Sequence, residues 1–384
     1  MRALSKTRLH DNVISKIERD LDRSVMSGAS VLVAQGGEVL LEECCGYADF
    51  GVGKPLSKDS IFRLASMTKP VTAVAALIAV ERGWFSLDDK ISEHFPEFGN
   101  MYVGRVEDGA VVPDHKPKKD ARIYNILSHT AGFMASGAAC DIYEENIPLS
   151  AYRTNESIVY YCLKNTCLTA EPVSQVAYCG YHAYDLVALM IERSSGMKYA
   201  DFLDKEIFEP LGMKDTAYHP TGDRWDRLVK MSDRAVSGTV SVDMGRHTFE
   251  SFPLTYTCAG AGLVGTVRDY YAFCRMLLGK GEYLGNRILK SETFSLLSKP
   301  HVPIELMGDG AFSTWGLGVR VRLSDPVLPY GAYGWSGAYG THFWVDPENE
   351  IAAIYMKNSR WYDSHGAGKT GREFERAVYS SLEN

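Results

Sequence analysis

Apolar residues recur at helical spacing near the beginning of the chain. Leu9, Val13, Ile17 and Leu21 are each four positions apart, and the positions between them are mostly polar. Side chains at this spacing share one face of a helix. The pattern therefore predicts an amphipathic helix on the surface of the protein.

Strand-like patterns follow this helix and return near the other end of the chain. The runs Ala29–Gln35 and 38–42 flank Gly36 and Gly37, a pairing that predicts a β-hairpin with a tight turn. Three later runs are also strand-like: 315–323, 340–345 and 351–356. We expect these runs to be strands of the same sheet.

Helical patterns fill most of the middle of the chain. The clearest is YHAYDLVALMIERSSG at 181–196, which Gly196 is expected to end, and YADFLDKEIFEPLG at 199–212 predicts another helix. Two later helices are predicted at 268–278 and 371–382. This order suits a sheet built from both ends of the chain, with a helical domain inserted. We expect residues 1–65 and 255–384 to form the sheet domain and residues 66–254 the mainly helical one.

Composition narrows the class of protein. The 384 residues are 45% hydrophobic and 11% aromatic, which is ample for a packed interior, and the net charge of −7 argues against a nucleic-acid surface. The longest apolar run, 71–80, is too short to cross a membrane. No targeting signal is visible, and eight cysteines without a CxxC pattern suggest free thiols, so we expect a cytoplasmic protein. The histidine spacing gives no metal motif, and no cofactor is expected.

The segment IFRLASMTKPVTAVAALIAVERGWFSLDD at 61–89 combines reactive side chains with an apolar helix. Ser66 and Lys69 are three positions apart, so they share one face of the helix. Burial beside apolar neighbours disfavours the ammonium form of Lys69, and a neutral amine can take a proton from Ser66. Ser195 and Lys198 have the same spacing, but they lie where a helix is expected to end at Gly196. The short pattern alone favours a serine that caps the helix and a lysine that extends to water, so at this point Ser66 and Lys69 are a candidate nucleophile and a candidate base.

This segment resembles the nucleophile region of the serine β-lactamase and penicillin-binding-protein superfamily, above all the branch with class C β-lactamases, D-aminopeptidases and family VIII carboxylesterases. Five further segments agree with the family in order along residues 28–358: GASVLVAQGGEVLLEECCGYAD, NILSHTAGF, FEPLGMKDTAY, AGAGLVGTVRDYYAFCRMLLGKGEYLGNRIL and GTHFWVDPENEIAAIYMKN. The resemblance implies an α/β (α+β) fold in which helices flank an antiparallel sheet and an all-helical domain is added. It also implies an active site in the cleft between the two domains.

The resemblance implies a catalytic tyrosine on a loop beside the nucleophile. Tyr178, six residues after Pro172, is the candidate, although Gly180 stands where the family often has asparagine. The spacing to the next helix is about one residue longer than in the family, so Tyr181 remains an alternative. A phenol near a lysine amine can relay protons in both directions.

The resemblance also implies a sheet strand that lines the cleft with K-T-G or a variant. The literal KTG at 369–371 opens the predicted last helix, so the better match is Trp335, Ser336 and Gly337, similar to the W-G-G of family VIII esterases. These three residues are the predicted substrate contacts, and the N–H groups of Ser66 and Ala338 the predicted oxyanion hole. Trp335 in place of a cation favours neutral substrates over carboxylated ones. Four cationic side chains remain candidates to restore that charge: Arg320, Arg322, His342 and Arg360.

The preferred function is therefore a carboxylesterase that acts on small neutral esters through a covalent acyl-enzyme. Amidase, D-aminopeptidase, β-lactamase or acyltransferase activity, on small esters or amides, remains an alternative on the same fold. A non-catalytic penicillin-binding or sensor protein is a further alternative, and a nucleotide-binding protein using GKT is disfavoured. His129 in SHTAG is expected to hold a loop by hydrogen bonding, and no Ser–His–Asp triad is predicted. The sequence leaves the oligomeric state open.

Overall fold

The computed structural model describes residues 2–235, 238–241, 255–359 and 367–383. It combines one large antiparallel sheet with helices that cover both of its faces and fill the middle of the chain. The α-helices are α1 (Lys6–Asp22), α2 (Thr68–Glu81), α3 (Ile91–His94), α4 (Pro96–Gly99), α5 (Ile123–Leu127), α6 (Ala138–Asn146), α7 (Asn155–Asn165), α8 (His182–Ser195), α9 (Tyr199–Leu203), α10 (Glu209–Leu211), α11 (Arg224–Arg227), α12 (Val267–Leu278), α13 (Ser291–Phe294) and α14 (Ala367–Tyr379). Short 3₁₀ turns span Ala65–Met67, Leu149–Arg153 and Ile304–Met307, and a π-helical turn spans Asp204–Phe208.

The strands come mainly from the two ends of the chain. They are β1 (Gly28–Gln35), β2 (Glu38–Asp49), β3 (Lys54–Pro55), β4 (Phe62–Arg63), β5 (Val103–Glu107), β6 (Ala110–His115), β7 (Ser232–Ala235), β8 (Gly238–Ser241), β9 (Val264–Gly265), β10 (Glu282–Tyr283), β11 (Asn286–Arg287), β12 (Ser313–Trp315), β13 (Arg320–Arg322), β14 (Tyr333–Ser336), β15 (His342–Asp346) and β16 (Ile351–Met356). Eight of them form the main sheet in the order β12-β13-β14-β15-β16-β1-β2-β3. The fold class expected from the sequence is thus confirmed, and the first and last parts of the chain meet where β1 pairs with β16.

Alternating side chains give each face of the sheet its own core. Leu32 on β1 packs into the larger core, which also contains α2, α8 and α12. Val31 and Val33 point to the opposite face, where α1 and α14 cover the sheet. This alternation is the period of two that a strand imposes on its side chains.

Helix α2 is the centre of the larger core. Every residue from Thr68 to Ala79 is buried, including the polar ones. A helix that is enclosed on all sides needs no polar face, which explains why this stretch is apolar without helical periodicity. Lys69, in the first turn of α2, is consequently packed on all sides.

Most predicted elements agree with the structure, but one predicted strand was wrong and one hairpin was not predicted. The hairpin at Gly36-Gly37, the helix that ends at Gly196 and the strand 351–356 are confirmed. The run 315–323 is not one strand, because Gly318 adopts the left-handed φ of 69° and the chain turns between β12 and β13. The middle of the chain also contains the β5–β6 hairpin, which the helical interpretation of this region missed. In the described part of the chain, no helix has both the length and the apolar character needed to span a membrane.

Candidate active site

Ser66 lies in the short 3₁₀ turn Ala65–Met67, which leads directly into α2. The residue before it, Ala65, has a left-handed φ of 48°, a conformation that costs a non-glycine residue about 1–2 kcal/mol. The first N–H to bond inside this turn is that of Met67, to the Leu64 carbonyl at 3.1 Å. The N–H of Ser66 therefore precedes the first helical hydrogen bond. The side chain of Ser66 is nearly buried and lines a cavity.

Lys69 is fully buried one turn later on the same face as Ser66. Its Nζ lies 3.3 Å from Ser66 Oγ, so the structure brings the two predicted residues together. The same nitrogen also donates to the carbonyl oxygens of Gly180, at 2.7 Å, and Gly260, at 2.8 Å. We call these two carbonyls and Lys69 Nζ the amine clamp.

Close backbone packing holds the two carbonyls of the amine clamp together. A Cβ on Gly260 would lie 2.7 Å from the Gly180 oxygen and 2.8 Å from the Tyr181 oxygen, so no other residue fits there. The buried carboxylate of Asp185 on α8 fixes the same segment, since it accepts from the Ala259 N–H at 2.8 Å and the Tyr256 hydroxyl at 3.0 Å. Sequence analysis missed the close approach at Gly260 and the hydrogen bonds of Asp185, although the AGAG pattern around Gly260 was a usable signal for the first.

Tyr178 is half-buried and lines the cavity beside these groups. Lys69 Nζ lies 4.9 Å from the centre of its ring. The Tyr178 hydroxyl accepts a hydrogen bond of 3.2 Å from Trp335 Nε1. Tyr181 also lines the cavity, with its ring 6.1 Å from that of His182. Of the two candidate phenols, Tyr178 is thus the one with described contacts to Lys69 and Trp335.

Three aromatic side chains pack around the Tyr178 ring, and we call His129, Trp315 and Trp335 the aromatic cluster. Their ring centres lie 4.3, 5.9 and 5.5 Å from that of Tyr178. The predicted loop role of His129 is confirmed, because its Nδ1 accepts from the Cys179 N–H at 3.3 Å. Burial, reinforced by the charge of Arg320, holds the pKa of His129 well below its ordinary value. The imidazole is therefore neutral.

The end of β14 meets the Ser66 turn at Gly337. A Cβ on Gly337 would lie 2.3 Å from the Leu64 oxygen, so only glycine permits this approach. Ala338 follows it, is exposed and lines the cavity. Ser336 lies beside these residues, but its hydroxyl is bonded to His342 Nδ1 at 2.7 Å. Trp335, Ser336 and Gly337 are not among the residues that line the cavity, so their contact with substrate stays a prediction.

The cavity next to Ser66 has a volume of about 340 Å³. Its walls carry several aromatic side chains that no motif in the sequence indicated, among them Tyr152, Tyr218 and Tyr256. Two carboxylates of α6, Asp141 and Glu144, also line it. The lining residues are Arg63, Ala65, Ser66, Ser136, Cys140, Asp141, Glu144, Tyr152, Tyr178, Gly180, Tyr181, His182, Tyr218, His219, Tyr256, Cys258, Ala261, Gly262, Ala338 and Tyr339.

The cationic side chains that were candidates to bind a substrate carboxylate have other partners in the structure. Arg320 donates to Ser313 Oγ at 2.7 Å and lies over the Trp315 ring, and burial lowers its pKa to about 10. Arg322 and His342 both contact the buried carboxylate of Glu375, at 2.9 and 3.1 Å. Arg360 lies outside the described residues. Among the described lysines and arginines, the one that lines the cavity is Arg63, which donates to the Val229 carbonyl at 3.0 Å.

The literal KTG sequence and the second SxxK pattern lie at the ends of helices. Residues 369–371 belong to the first turns of α14, as expected. Ser195 is the last residue of α8, and Gly196 ends that helix with a φ of 70°. Within the described residues, no group of three or more His, Cys, Asp or Glu side chains is arranged to hold a metal ion.

Comparison with known proteins gives matches along nearly the whole chain. A family model described as Beta-lactamase matches residues 13–375. Protein Rv1367c of Mycobacterium tuberculosis is 28% identical over 360 residues, covering 89% of this chain and 88% of its own. Esterase EstB of Burkholderia gladioli is 26% identical over 372 residues, covering 88% of each chain. The solved structure of EstCE1, described as a hydrolase with promiscuous acyltransferase activity, has a TM-score of 0.80 at 25% identity, covering 97% of this chain and 99% of its own.

Proposed function

This chain belongs to the beta-lactamase family, and from that membership we propose that it is a serine hydrolase that acts on small neutral esters through a covalent acyl-enzyme. Ser66 is the proposed nucleophile, and Lys69 and Tyr178 are the proposed proton carriers. The N–H groups of Ser66 and Ala338 are the proposed oxyanion hole. The observation that carries this proposal is the set of contacts made by the Lys69 nitrogen.

The amine clamp supports a base at Lys69. A neutral amine has two N–H donors and one lone pair, and the two carbonyl oxygens at 2.7 and 2.8 Å take both donors. The lone pair then faces Ser66 Oγ at 3.3 Å. In the ammonium form, a third N–H occupies that direction. The same contacts therefore suit the nitrogen before and after it accepts a proton, which is what a general base requires.

In the proposed reaction, Ser66 Oγ bonds to the ester carbonyl carbon while its proton moves to Lys69 Nζ. The two N–H groups of the oxyanion hole stabilise the negative charge on the carbonyl oxygen. The bond to the alcohol oxygen then breaks, and the alcohol leaves with a proton from Tyr178, which Lys69 replaces. Water next attacks the acyl carbon, and its proton returns to Ser66 through the same two side chains. The carboxylic acid is released, and each residue regains its starting proton.

The charges around the cavity support neutral substrates over carboxylated ones. Asp141 and Glu144 line the cavity together with Arg63, whose guanidinium already donates to a carbonyl. The two cavity carboxylates would repel a substrate carboxylate, and the Arg63 guanidinium that could attract it is already hydrogen-bonded. The aromatic walls instead favour an apolar acyl or alcohol group.

Ester turnover and covalent labelling test this proposal. The protein is incubated with p-nitrophenyl butyrate and, separately, with a fluorophosphonate, and the intact mass is measured. We expect steady turnover and one phosphonate adduct in the wild type, and neither in Ser66→Ala. Lys69→Met should retain the fold and lower kcat by about 10²–10⁴-fold. An adduct without turnover would instead indicate a sensor protein, and an adduct that persists in Ser66→Ala would refute the assignment of the nucleophile.

Acyl transfer is the second candidate function, because EstCE1 is described as a hydrolase with promiscuous acyltransferase activity. The same acyl-enzyme would then pass its acyl group to an alcohol in place of water. The assay is repeated with added 1-butanol, and the products are separated by chromatography. Butyl ester formed in preference to butyric acid would favour this second function over hydrolysis.

A further inference from the structure

Trp335 has a contact that its predicted role does not explain. It was selected as a wall of the substrate pocket, yet it is not among the residues lining the cavity. Its side chain is half-buried on β14, where Trp335 pairs with Phe343 of β15 and its ring packs 4.5 Å from that of Trp315. The polar atom of this ring, Nε1, is 3.2 Å from the hydroxyl oxygen of Tyr178.

The direction of this hydrogen bond fixes the orientation of the phenol. An indole N–H can only donate, so the Tyr178 oxygen must accept from it. The proton of the hydroxyl group then cannot point at Trp335. It remains available for other acceptors on the cavity side, which Tyr178 and Ser66 both line.

The other two members of the aromatic cluster contact the Tyr178 ring and not its oxygen. The only described hydrogen bond of the His129 ring is to the Cys179 N–H through Nδ1. Nε1 of Trp315 has no hydrogen-bond partner among the described residues. Within the aromatic cluster, the described hydrogen bond to the phenol oxygen therefore comes from Trp335.

We propose that Trp335 is a positioning residue for the reaction, since its indole N–H holds the Tyr178 oxygen as an acceptor and directs the phenol proton toward the nucleophile and the leaving group. This inference rests on the proposed function. Trp335 exchanges no proton itself.

Replacing the indole with a ring that lacks the N–H tests the proposal. Trp335→Phe should lower kcat for p-nitrophenyl butyrate by about tenfold while changing KM by less than about twofold, because the phenol is misdirected and the cavity is intact. Trp315→Phe, the same change in a side chain that does not bond the phenol, should keep kcat within about twofold of the wild type. Thermal unfolding of each variant confirms that it is folded.

A double-mutant cycle separates positioning from general packing. In a Tyr178→Phe background, Trp335→Phe should have no further effect on kcat, because the bond is already absent. Additive effects, a KM increase at unchanged kcat, or an equal loss in Trp315→Phe would each overturn the proposal.

The hydrogen bond between Trp335 and Tyr178 can also be detected by NMR, without an activity assay. This measurement separates the failure of this proposal from the failure of the proposed function. In a ¹⁵N-labelled protein, Tyr178→Phe should shift the indole N–H resonance that Trp335→Phe removes, and should leave the resonance of Trp315 nearly unchanged. An unshifted Trp335 resonance overturns the positioning role. A wild type without ester turnover, but with the shifted resonance, refutes the proposed function and leaves the contact established.

Discussion

Replacing Gly260 with alanine should disable the candidate site through backbone displacement alone. The new Cβ would lie 2.7 Å from the Gly180 oxygen and 3.0 Å from the Tyr181 Cα, and both neighbours are backbone atoms that cannot rotate away. A carbon and a carbonyl oxygen in contact are normally about 3.3–3.6 Å apart. The segments around Gly180 and Gly260 must therefore separate by roughly 0.6–0.9 Å, the difference between those distances and 2.7 Å.

This displacement acts directly on the amine clamp. The two hydrogen bonds from Lys69 Nζ are 2.7 and 2.8 Å long. A shift of that size lengthens at least one of them beyond about 3.2 Å, the upper end of the usual range for an N–H···O hydrogen bond. A misplacement of this order costs about 10²-fold in rate, and overpacking of this kind lowers the free energy of unfolding by about 1–3 kcal/mol. Both quantities should fall together in Gly260→Ala.

The assay compares kcat for p-nitrophenyl butyrate and the urea midpoint of Gly260→Ala and Gly180→Ala. Gly180 is the matched control, because its φ lies outside the left-handed region and a Cβ there has no atom within 4 Å. We expect Gly180→Ala to keep kcat within about threefold of the wild type. Wild-type turnover and stability in Gly260→Ala would refute the tight backbone approach, and with it the account of how Lys69 is held.

Two further predictions concern buried carboxylates. Asp185→Asn should lower the free energy of unfolding by about 1.5–3 kcal/mol and reduce kcat, because an amide has only one of the two accepting oxygens that bind the Ala259 N–H and the Tyr256 hydroxyl. Urea denaturation and the ester assay measure these two quantities, and an unchanged urea midpoint would contradict the prediction. Burial raises the pKa of Glu375, but the hydrogen bond from His342 and the charges of two arginines outweigh it and hold that pKa below the ordinary value of 4.5. The stability contributed by a carboxyl with a lowered pKa is present above the unfolded pKa and is lost as the pH falls through the folded one. Thermal unfolding should therefore depend less on pH below about 4.5 in Glu375→Gln than in the wild type, and parallel profiles would count against this role.

The sequence predicted the elements whose patterns are local. Helical spacing identified α1 and α8, and two glycines between apolar runs identified the β1–β2 hairpin. The Ser66–Lys69 proximity was also predictable, because i and i+3 positions meet on any helix. The catalytic roles of these residues remain predictions that the proposed assays test.

Contacts between distant backbone atoms left little pattern in the sequence beyond the glycines of AGAG at 259–262. The carbonyls of Gly180 and Gly260 bind Lys69 through atoms that every residue type possesses, so side-chain identity does not reveal them. The hydrogen bond from Trp335 to Tyr178 was hidden for a related reason, because a tryptophan beside a cleft presents either its ring or its N–H. The turn at Gly318 that splits β12 from β13 had a visible signal, a second glycine two positions after Gly316, which the strand-like composition outweighed.

The amine clamp also sets when the site can first exist during synthesis of the chain. Lys69 binds carbonyls that lie 111 and 191 residues further along, so neither a growing chain that stops before residue 260 nor a fragment of that length possesses both partners. Ester cleavage should therefore appear late on the ribosome and vanish early on partial denaturation, before bulk secondary structure is lost. Activity in this protein would thus report completion of the tertiary structure.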